Sequence, residues 1–319
     1  MRNLHHKIKT LVISVLGGVA LISQLAHAQD LNSINSPSDN RPFMYANSVP
    51  FGAYDPQGNF TDDKFPKIEH LFLPWMDVDL ALLYQADAYV LARHRDLLIT
   101  IEPWSWAKNR RIRPDDLYVS IENGNYDPTI NKICGIVAGY KSTTTIRWAQ
   151  EMEDHIGRYS WQYWSAAEYK KAYRHFVQLC RAVAPNAKFL WSPKGLENLA
   201  DYYPGDDVVD IVGLSVFGYQ PFDQGEVGHD QTFVDILTPG YERAVKLGKP
   251  IWVAELGYSG DKTYVANWQK QVEVKYAQFP KLETIVYFND KEVWPWMKGY
   301  GLPDWRVDHN IITGSLTQK

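Results

Sequence analysis

Two glutamates, Glu151 and Glu255, each follow a short apolar stretch and could act together as a pair of acids. Glu151 comes after residues 143–148, and Glu255 comes directly after residues 250–254. A carboxylate at the end of a buried strand loses its hydration, so it needs either a partner or a chemical task. Two carboxylates that flank one bond can cleave a glycoside, because one protonates the leaving oxygen while the other faces the anomeric carbon. The alternative is that both are structural carboxylates held in salt bridges.

The order of the apolar stretches predicts where these acids stand. Most strand candidates lack alternating polarity, which is typical of strands that are covered on both faces. These candidates are residues 42–46, 70–75, 97–101, 143–148, 188–191, 209–215, 250–254 and 284–288. Helix candidates lie between strands, and the clearest has Ser165 as its cap and Glu168 at the capping-box position. The helix candidates are residues 127–138, 165–183, 233–247 and 264–279.

Eight strands that alternate with helices predict a single α/β domain, a (β/α)₈ TIM barrel. A doubly wound sheet is the alternative, but no glycine-rich nucleotide-binding turn follows the first strand. Strands 4 and 7 of a barrel face each other, and functional side chains stand at the carboxyl ends of its strands. Glu151 and Glu255 could therefore flank a bond held over the barrel mouth. A separation of about 5–5.5 Å would give cleavage with retention, through a covalent intermediate.

Polar and aromatic residues collect at the same strand ends and form the predicted substrate site. Amides, carboxylates and hydroxyl groups can bind sugar hydroxyls, and the apolar face of a sugar can stack on indole rings. Arg147 precedes Glu151 by four residues and could keep Glu255 ionised, or it could serve only as a structural ion pair. For the tryptophans the alternative is core packing. The predicted substrate-binding residues are Glu102, Trp104, Arg147, Gln150, Trp191, Tyr219, Asn289, Trp294 and Trp305.

The beginning of the chain has the pattern of a secretory signal peptide. Basic residues precede an apolar run at residues 11–26, and Ala26-His27-Ala28 is a small-x-small cleavage site. An uncleaved membrane anchor is the alternative, although the run is short for a full span. We therefore expect a periplasmic or secreted protein. Its expected parts are the signal peptide at residues 1–28, a polar lead at 29–40 and the catalytic domain at 41–319.

Composition and charge exclude several classes of protein. The chain is 45% hydrophobic and 22% charged, which is the composition of a folded domain rather than a disordered one. Its net charge of −4 becomes more negative when the basic leader is removed, so we expect no nucleic-acid partner and no membrane partner. We expect no metal or cofactor, because the sequence has no recognised metal-binding motif. We also expect a monomer. Cys134 and Cys180 could form a disulfide or remain two buried thiols.

Seven short motifs stand in order within residues 42–310. They are ITIEPW at 99–104, IRWAQEME at 146–153, FLWSP at 189–193, YPGD at 203–206 followed by VDIVG at 209–213, AELG at 254–257, YFN at 287–289 and DWR at 304–306. Together they resemble glycoside hydrolase family 26, whose best-known members are β-mannanases. The resemblance implies a clan A retaining glycosidase, with Glu151 as the acid/base and Glu255 as the nucleophile. It also implies that Tyr219 lies near the nucleophile, where its hydroxyl can hydrogen-bond the carboxylate.

One position departs from the family pattern. The family usually has histidine before the acid/base glutamate, whereas this chain has Gln150. An amide can donate and accept hydrogen bonds but cannot carry a charge, so Gln150 could contact a sugar 2-hydroxyl or hold a carboxylate. Mannan is the family's most familiar substrate, and β-glucan and β-xylan are also substrates within it.

The sequence thus predicts an exported retaining β-glycanase that acts on a polysaccharide or oligosaccharide of the mannan, glucan or xylan type. One alternative is a non-catalytic carbohydrate-binding barrel, which would keep the aromatic rim without needing paired acids. The other is a hydrolase or transglycosylase that trims an exopolysaccharide at the cell envelope. That enzyme would use the same two acids and would differ only in its products.

Overall fold

The eight strands close into one parallel barrel. The computed structural model describes residues 40–42 and 44–307 of the chain. Each strand pairs in parallel with the next, and the first pairs with the last to complete the ring. This arrangement confirms the predicted (β/α)₈ barrel. The strands are β1 Phe51–Tyr54, β2 Pro66–Pro74, β3 Asp96–Glu102, β4 Thr144–Trp148, β5 Lys188–Trp191, β6 Ile211–Tyr219, β7 Ile251–Ser259 and β8 Leu282–Phe288.

The first predicted strand is wrong, whereas the other seven overlap observed ones. The described residues of that stretch, 42 and 44–46, are in no strand. The chain enters a turn at Tyr45, whose carbonyl accepts the Ser48 N–H at 3.0 Å. The first strand of the ring is instead β1, which pairs with both β2 and β8. The predicted signal peptide lies outside the described residues, as does the polar lead except for Asn40. The Asn40 amide donates to the Tyr258 carbonyl at 2.9 Å and so joins the end of that lead to β7.

Helices cover the outside of the barrel as the sequence patterns predict. Ser165 and Glu168 form the expected capping box at the start of the helix after β4. The last helix ends at Val272, earlier than predicted, and no helix of the described residues is both long and apolar enough to cross a bilayer. The helices are α1 Leu80–Leu91, α2 Pro114–Glu122, α3 Asp127–Val137, α4 Ala166–Val183, α5 Phe233–Ala244 and α6 Lys262–Val272.

The barrel interior changes from apolar to polar toward the carboxyl ends of the strands. Ile68 and Leu98 belong to a buried cluster to which β5, β6, β7 and β8 also contribute. Because side chains two residues apart share one face of a strand, the next inward positions on β2 and β3 are His70 and Thr100. The His70 Nε2 and Thr100 Oγ1 atoms lie 2.7 Å apart, and Arg147 Nη1 donates to the same hydroxyl at 3.4 Å. The apolar floor therefore supports a polar layer beneath the barrel mouth.

A disulfide joins two neighbouring helices on the outside of the barrel. Cys134 on α3 is bonded to Cys180 on α4, and both cysteines are completely buried. The sequence left open whether these residues would be bonded or free. The bond ties the helix before β4 to the helix after it, so it braces the part of the shell that supports Glu151.

We predict that replacing both cysteines by alanine lowers the free energy of unfolding. The disulfide joins residues that are 46 positions apart in sequence. Closing a loop of that length in the unfolded chain stabilises the folded protein by about 4 kcal/mol in the chain-entropy treatment. Urea unfolding of the oxidised protein and of the Cys134→Ala/Cys180→Ala variant measures the difference. Equal stabilities would contradict the bracing role.

Candidate active site

Glu151 and Glu255 stand on the mouth side of the barrel, on strands that face each other, although β7 continues beyond Glu255 to Ser259 instead of ending there as predicted. Glu151 follows β4 closely and Glu255 lies within β7, and both are more than nine-tenths buried. Arg147, on β4, is fully buried and its Nη1 atom lies 2.6 Å from Glu255 Oε1. An ion pair thus crosses the barrel interior from β4 to β7. The arrangement puts two carboxyl groups and a cation at one mouth.

The backbone that carries Glu151 is strained. Ala149 and Glu151 have φ angles of 48° and 54°, in the left-handed region that residues with a Cβ atom rarely occupy. Each such residue costs on the order of 1 kcal/mol or more, so surrounding contacts must maintain it. Strain of this kind is found preferentially at functional sites. The turn changes the direction of the chain directly after β4 and fixes where the Glu151 carboxyl group lies.

Buried donors around the turn hold it in place. Trp161 Nε1 donates to the Gln150 carbonyl at 2.7 Å, and Gln162 Nε2 donates to the Glu151 carbonyl at 2.9 Å. The Glu151 N–H itself donates to the Ser192 carbonyl on the β5 side at 2.8 Å. Neither Trp161 nor Gln162 is among the predicted site residues. Their function is to fix the backbone of the candidate acid/base.

The charges near the two glutamates are arranged in pairs. Besides Arg147 with Glu255, Lys194 Nζ lies 2.6 Å from Asp154 Oδ2. Arg158 Nη2 lies 2.8 Å from Glu292 Oε1. The predictions did not include these last two pairs, because their members come from loops after β4, β5 and β8 and share no sequence pattern.

These surroundings shift the two carboxyl groups in opposite directions. Burial raises the pKa of Glu255 to about 7; the attraction of Arg147 opposes this shift, and the charge of Glu151 adds to it. Burial also disfavours the charged form of Glu151, but the cations Lys194 and Arg158 outweigh it and lower the pKa of that carboxyl group. Each charge affects the ionisation of the other group, so the two titrate as a pair. Between the two ionisations the pair holds a single proton.

Glu102, Gln150 and Trp104 form a buried network beside Glu151. Gln150 Nε2 donates to Glu102 Oε1 at 2.8 Å, while Trp104 Nε1 donates to Glu102 Oε2 at 3.1 Å and Trp106 Nε1 donates to the same oxygen. A carboxylate that accepts from three donors orients the Gln150 amide, with its nitrogen toward Glu102. The guanidinium of Arg111 covers the Trp104 ring at 3.5 Å. In this structure the three predicted residues hold each other in position.

Asn289, Trp191 and Trp305 have no surface open to a sugar. All three are 0% exposed, which gives them a packing role in this structure instead of the predicted sugar contact. The Asn289 amide donates to Asp55 Oδ1 at 2.6 Å and its oxygen accepts from the Val307 N–H at 2.8 Å. The residue therefore clasps the last described residues to the loop after β1. A polar residue after a strand gives the same sequence signal whether it binds a ligand or a neighbouring loop.

The predicted hydrogen bond between Tyr219 and the nucleophile is wrong for this structure. The Tyr219 hydroxyl donates to the Tyr300 carbonyl at 3.1 Å. Across the β6–β7 pairing Ser215 lies opposite Glu255, whereas Tyr219 lies opposite Ser259. Four residues of strand correspond to about 13 Å, so Tyr219 stands well beyond Glu255 along the barrel axis.

Aromatic side chains on the β8 side form a rim. Trp294 is partly exposed, as a sugar platform requires, and so is Trp296, which the sequence reasoning missed. The Trp296 ring packs edge-on against Tyr219 and tilted against Trp305. Trp305 lies directly on the β7 backbone, since a Cβ atom at Gly257 would come within 2.9 Å of its ring. The Trp-Pro-Trp run at 294–296 was the available signal for Trp296.

No group of three or more histidine, cysteine, aspartate or glutamate side chains in the described ranges could hold a metal ion.

We predict that Asn289→Ala destabilises the protein and does not weaken substrate binding by the folded fraction. The change removes one donor to the Asp55 carboxylate, which keeps the N–H groups of Asn59 and Phe60. It leaves the Val307 N–H without a buried partner, which costs about 2 kcal/mol in free energy of unfolding. Thermal unfolding and KM for an oligosaccharide provide the two readouts, with Asn125→Ala at an exposed position as the control. A raised KM at unchanged stability would instead restore Asn289 as a sugar ligand.

The chain is similar to one known protein family and to curated enzymes that act on polysaccharides. The profile of glycosyl hydrolase family 26 matches residues 117–290. A mannan endo-1,4-β-mannosidase of Bifidobacterium adolescentis is 30% identical over 139 residues, which are 38% of this chain and 13% of that protein. A β-1,3-xylanase of a Vibrio species is 30% identical over 108 residues, 32% of this chain and 22% of the xylanase. The chain thus spans less than a quarter of the length of these curated relatives.

Solved structures show the same fold. A modular endo-β-1,4-mannanase from Cellulomonas fimi superposes with a TM-score of 0.61 at 16% identity, covering 76% of this chain and 65% of the other. The catalytic domain of an endo-β-1,4-mannanase from a Bacillus species gives 0.57 at 16% identity, with 76% and 77% covered. The family profile spans more than half of the chain and includes both glutamates at the barrel mouth. This protein belongs to glycosyl hydrolase family 26.

Proposed function

We propose that this chain is an exported retaining β-glycanase that hydrolyses a β-linked polysaccharide of the mannan, glucan or xylan type. The observation that carries the proposal is the buried, electrostatically coupled pair of Glu151 and Glu255 on opposite strands of one barrel mouth. Membership of family 26 supports it, as do the names of the mannanase and xylanase relatives. The leader pattern at residues 1–28 supports export, and residues 41–319 would form the catalytic domain.

The two acids would divide the reaction between them. Glu255 attacks the anomeric carbon and forms a glycosyl–enzyme ester, while Glu151 gives its proton to the departing glycosidic oxygen. Water then enters, Glu151 takes a proton from it, and the ester is cleaved to release the sugar with its original configuration. Arg147 would keep negative charge on Glu255 before attack, since its Nη1 atom lies 2.6 Å from that carboxylate.

Substrate binding would set the proton in the correct place. The pKa of Glu255 is raised and that of Glu151 is lowered, so Glu255 carries the proton of the pair before a substrate contacts either group. The reaction needs the proton on Glu151. A glycosidic oxygen that accepts a hydrogen bond from Glu151 favours its protonated form, and a proton on Glu151 removes the charge that opposes ionisation of Glu255. Arg147 then stabilises the charge that Glu255 acquires.

We predict that Glu151→Gln and Glu255→Gln each lower kcat by about a thousandfold or more, because each amide lacks the proton transfer or the nucleophile that the step requires. Hydrolysis of β-1,4-mannan, mixed-linkage β-glucan and β-1,3-xylan should be followed by release of reducing ends. Glu197→Gln, at a side chain that is 95% exposed, is the matched control. Activity near that of the wild type in either site variant would refute the pair.

Azide separates the two roles. It can replace the carboxylate of a Glu255→Ala variant and attack from the face opposite the leaving group, which gives an α-glycosyl azide. In a Glu151→Ala variant it attacks the glycosyl–enzyme ester and gives a β-glycosyl azide, because Glu255 has already inverted the centre once. Nuclear magnetic resonance of the products identifies the configuration. The reverse pattern would exchange the two assignments.

The proposal also predicts how activity depends on pH. The reactive state needs one proton in the pair, and the group with the raised pKa loses that proton at about pH 7. We therefore expect kcat/KM to be maintained below this value and to fall as pH rises through about 7. Initial rates with a β-linked oligosaccharide, whose departing sugar oxygen must be protonated, test this across pH 4 to 9 in buffers of constant ionic strength. A rate that stays constant up to about pH 9 would contradict proton donation by this pair.

A further inference from the structure

An ion pair connects two loops on opposite sides of the barrel mouth. Arg158 lies in the loop after β4, and Glu292 lies in the loop after β8. Strands β4 and β8 are separated by three strands on either side of the closed ring, so these loops start from opposite edges of the mouth. The guanidinium makes two contacts with the carboxylate, at 2.8 Å and 3.4 Å. We call this pair the crossbar.

Both ends of the crossbar are anchored. Glu292 Oε1 also accepts the N–H groups of Val293 and Trp294, at 2.9 Å and 3.3 Å, and the Glu292 N–H donates to the Pro303 carbonyl. The Arg158 guanidinium lies 5.1 Å from the centre of the Tyr159 ring. The Glu292 side chain is 5% exposed and that of Arg158 is 22% exposed. A two-atom contact that is this buried and braced is more persistent than an exposed surface pair.

The crossbar spans the mouth in which the two candidate catalytic acids stand, because one of its loops follows β4 and Glu151 and the other follows β8, the neighbour of β7 that carries Glu255. The positive charge of Arg158 favours the ionised forms of both Glu151 and Glu255, which places the guanidinium within electrostatic reach of β4 and β7 together. Its carboxylate partner belongs to the β8 loop. A glycan bound across both acids would therefore meet the crossbar if it continued in both directions through the mouth.

We propose that the Arg158–Glu292 crossbar closes one end of the substrate cleft, so that the enzyme admits the ends of β-linked chains and excludes chain interiors. The inference rests on the proposed function, because it concerns which part of a polysaccharide reaches Glu151 and Glu255. Opening the crossbar would let an internal segment pass through the mouth.

Glu292→Gln is the sharpest test. The amide oxygen can still accept the N–H groups of Val293 and Trp294, but the charge that holds Arg158 is lost. Arg158→Lys is the second variant, because it keeps a cation near the catalytic pair and removes the two-atom contact. Asp207→Asn is the matched control, since it breaks the exposed Arg174–Asp207 pair on the outside of the barrel.

The measurement compares loss of viscosity with release of reducing ends on soluble β-1,4-mannan, mixed-linkage β-glucan and β-1,3-xylan. For the wild type and Asp207→Asn we expect reducing ends to appear with little loss of viscosity, as when chains are shortened from their ends. For Glu292→Gln and Arg158→Lys the viscosity lost per reducing end should rise about fivefold, the change in open population expected for breaking one ion pair of this kind.

Failure of this inference is distinguishable from failure of the proposed function. A short aryl β-oligosaccharide needs no passage through the mouth, so its hydrolysis tests the catalytic pair alone. If the wild type hydrolyses it but thins the polymers rapidly, or if both variants leave the ratio unchanged, the crossbar inference is overturned and the function stands. If the wild type hydrolyses neither the aryl substrate nor any polymer, both are overturned.

Discussion

The cost of burying charge at the barrel mouth governs the rest of this structure. Two carboxyl groups lie there almost without solvent. A carboxyl group in such a place would ionise only at a high energetic cost if no partner compensated its charge. The positive charge of Arg147 offsets this cost for Glu255. Arg147 lies inside the barrel, above the cluster of apolar side chains that forms its floor. Removing one partner of such a pair typically destabilises a protein by about 3–5 kcal/mol, because the other charge is left alone. The ion pair is thus a structural element as well as a device that controls protonation.

The strained turn after β4 likewise depends on buried polar groups having hydrogen-bond partners. Left-handed backbone at Ala149 and Glu151 persists because neighbouring side chains satisfy its carbonyl groups. One of those donors is the indole of Trp161, and two more indoles donate to Glu102. The 12 tryptophans of the chain therefore have a third explanation besides packing and sugar stacking. An indole is a bulky apolar group with a single N–H donor, which suits it to hold a polar backbone in a dry site.

The sequence anticipated the residues of the site better than it anticipated their contacts. Glu102, Gln150 and Trp104 do lie together next to Glu151, but they bind one another. Asn289 has the position expected of a ligand and is fully occupied by the loop after β1 and by the last described residues. Tyr219 is placed by the β6–β7 register, and a shift between Leu214 and Ser215 fixes which residue faces Glu255. Register and loop contacts are long-range properties, so a local pattern does not reveal them.

The sequence by itself determined the barrel, seven of its eight strands, the capped helix after β4 and the two strands, β4 and β7, with which the glutamates are associated. It could do so because apolar runs, caps and strand-end carboxylates are local signals of a fold whose functional groups always occupy one rim. Only the tertiary structure decided that Cys134 and Cys180 are bonded and that Arg158 reaches Glu292 across the mouth. Each of these contacts joins segments far apart along the chain, and the closed ring of strands brings them together. Burial then sets their charge states, because solvent exclusion is a property of the folded surroundings and not of any one residue.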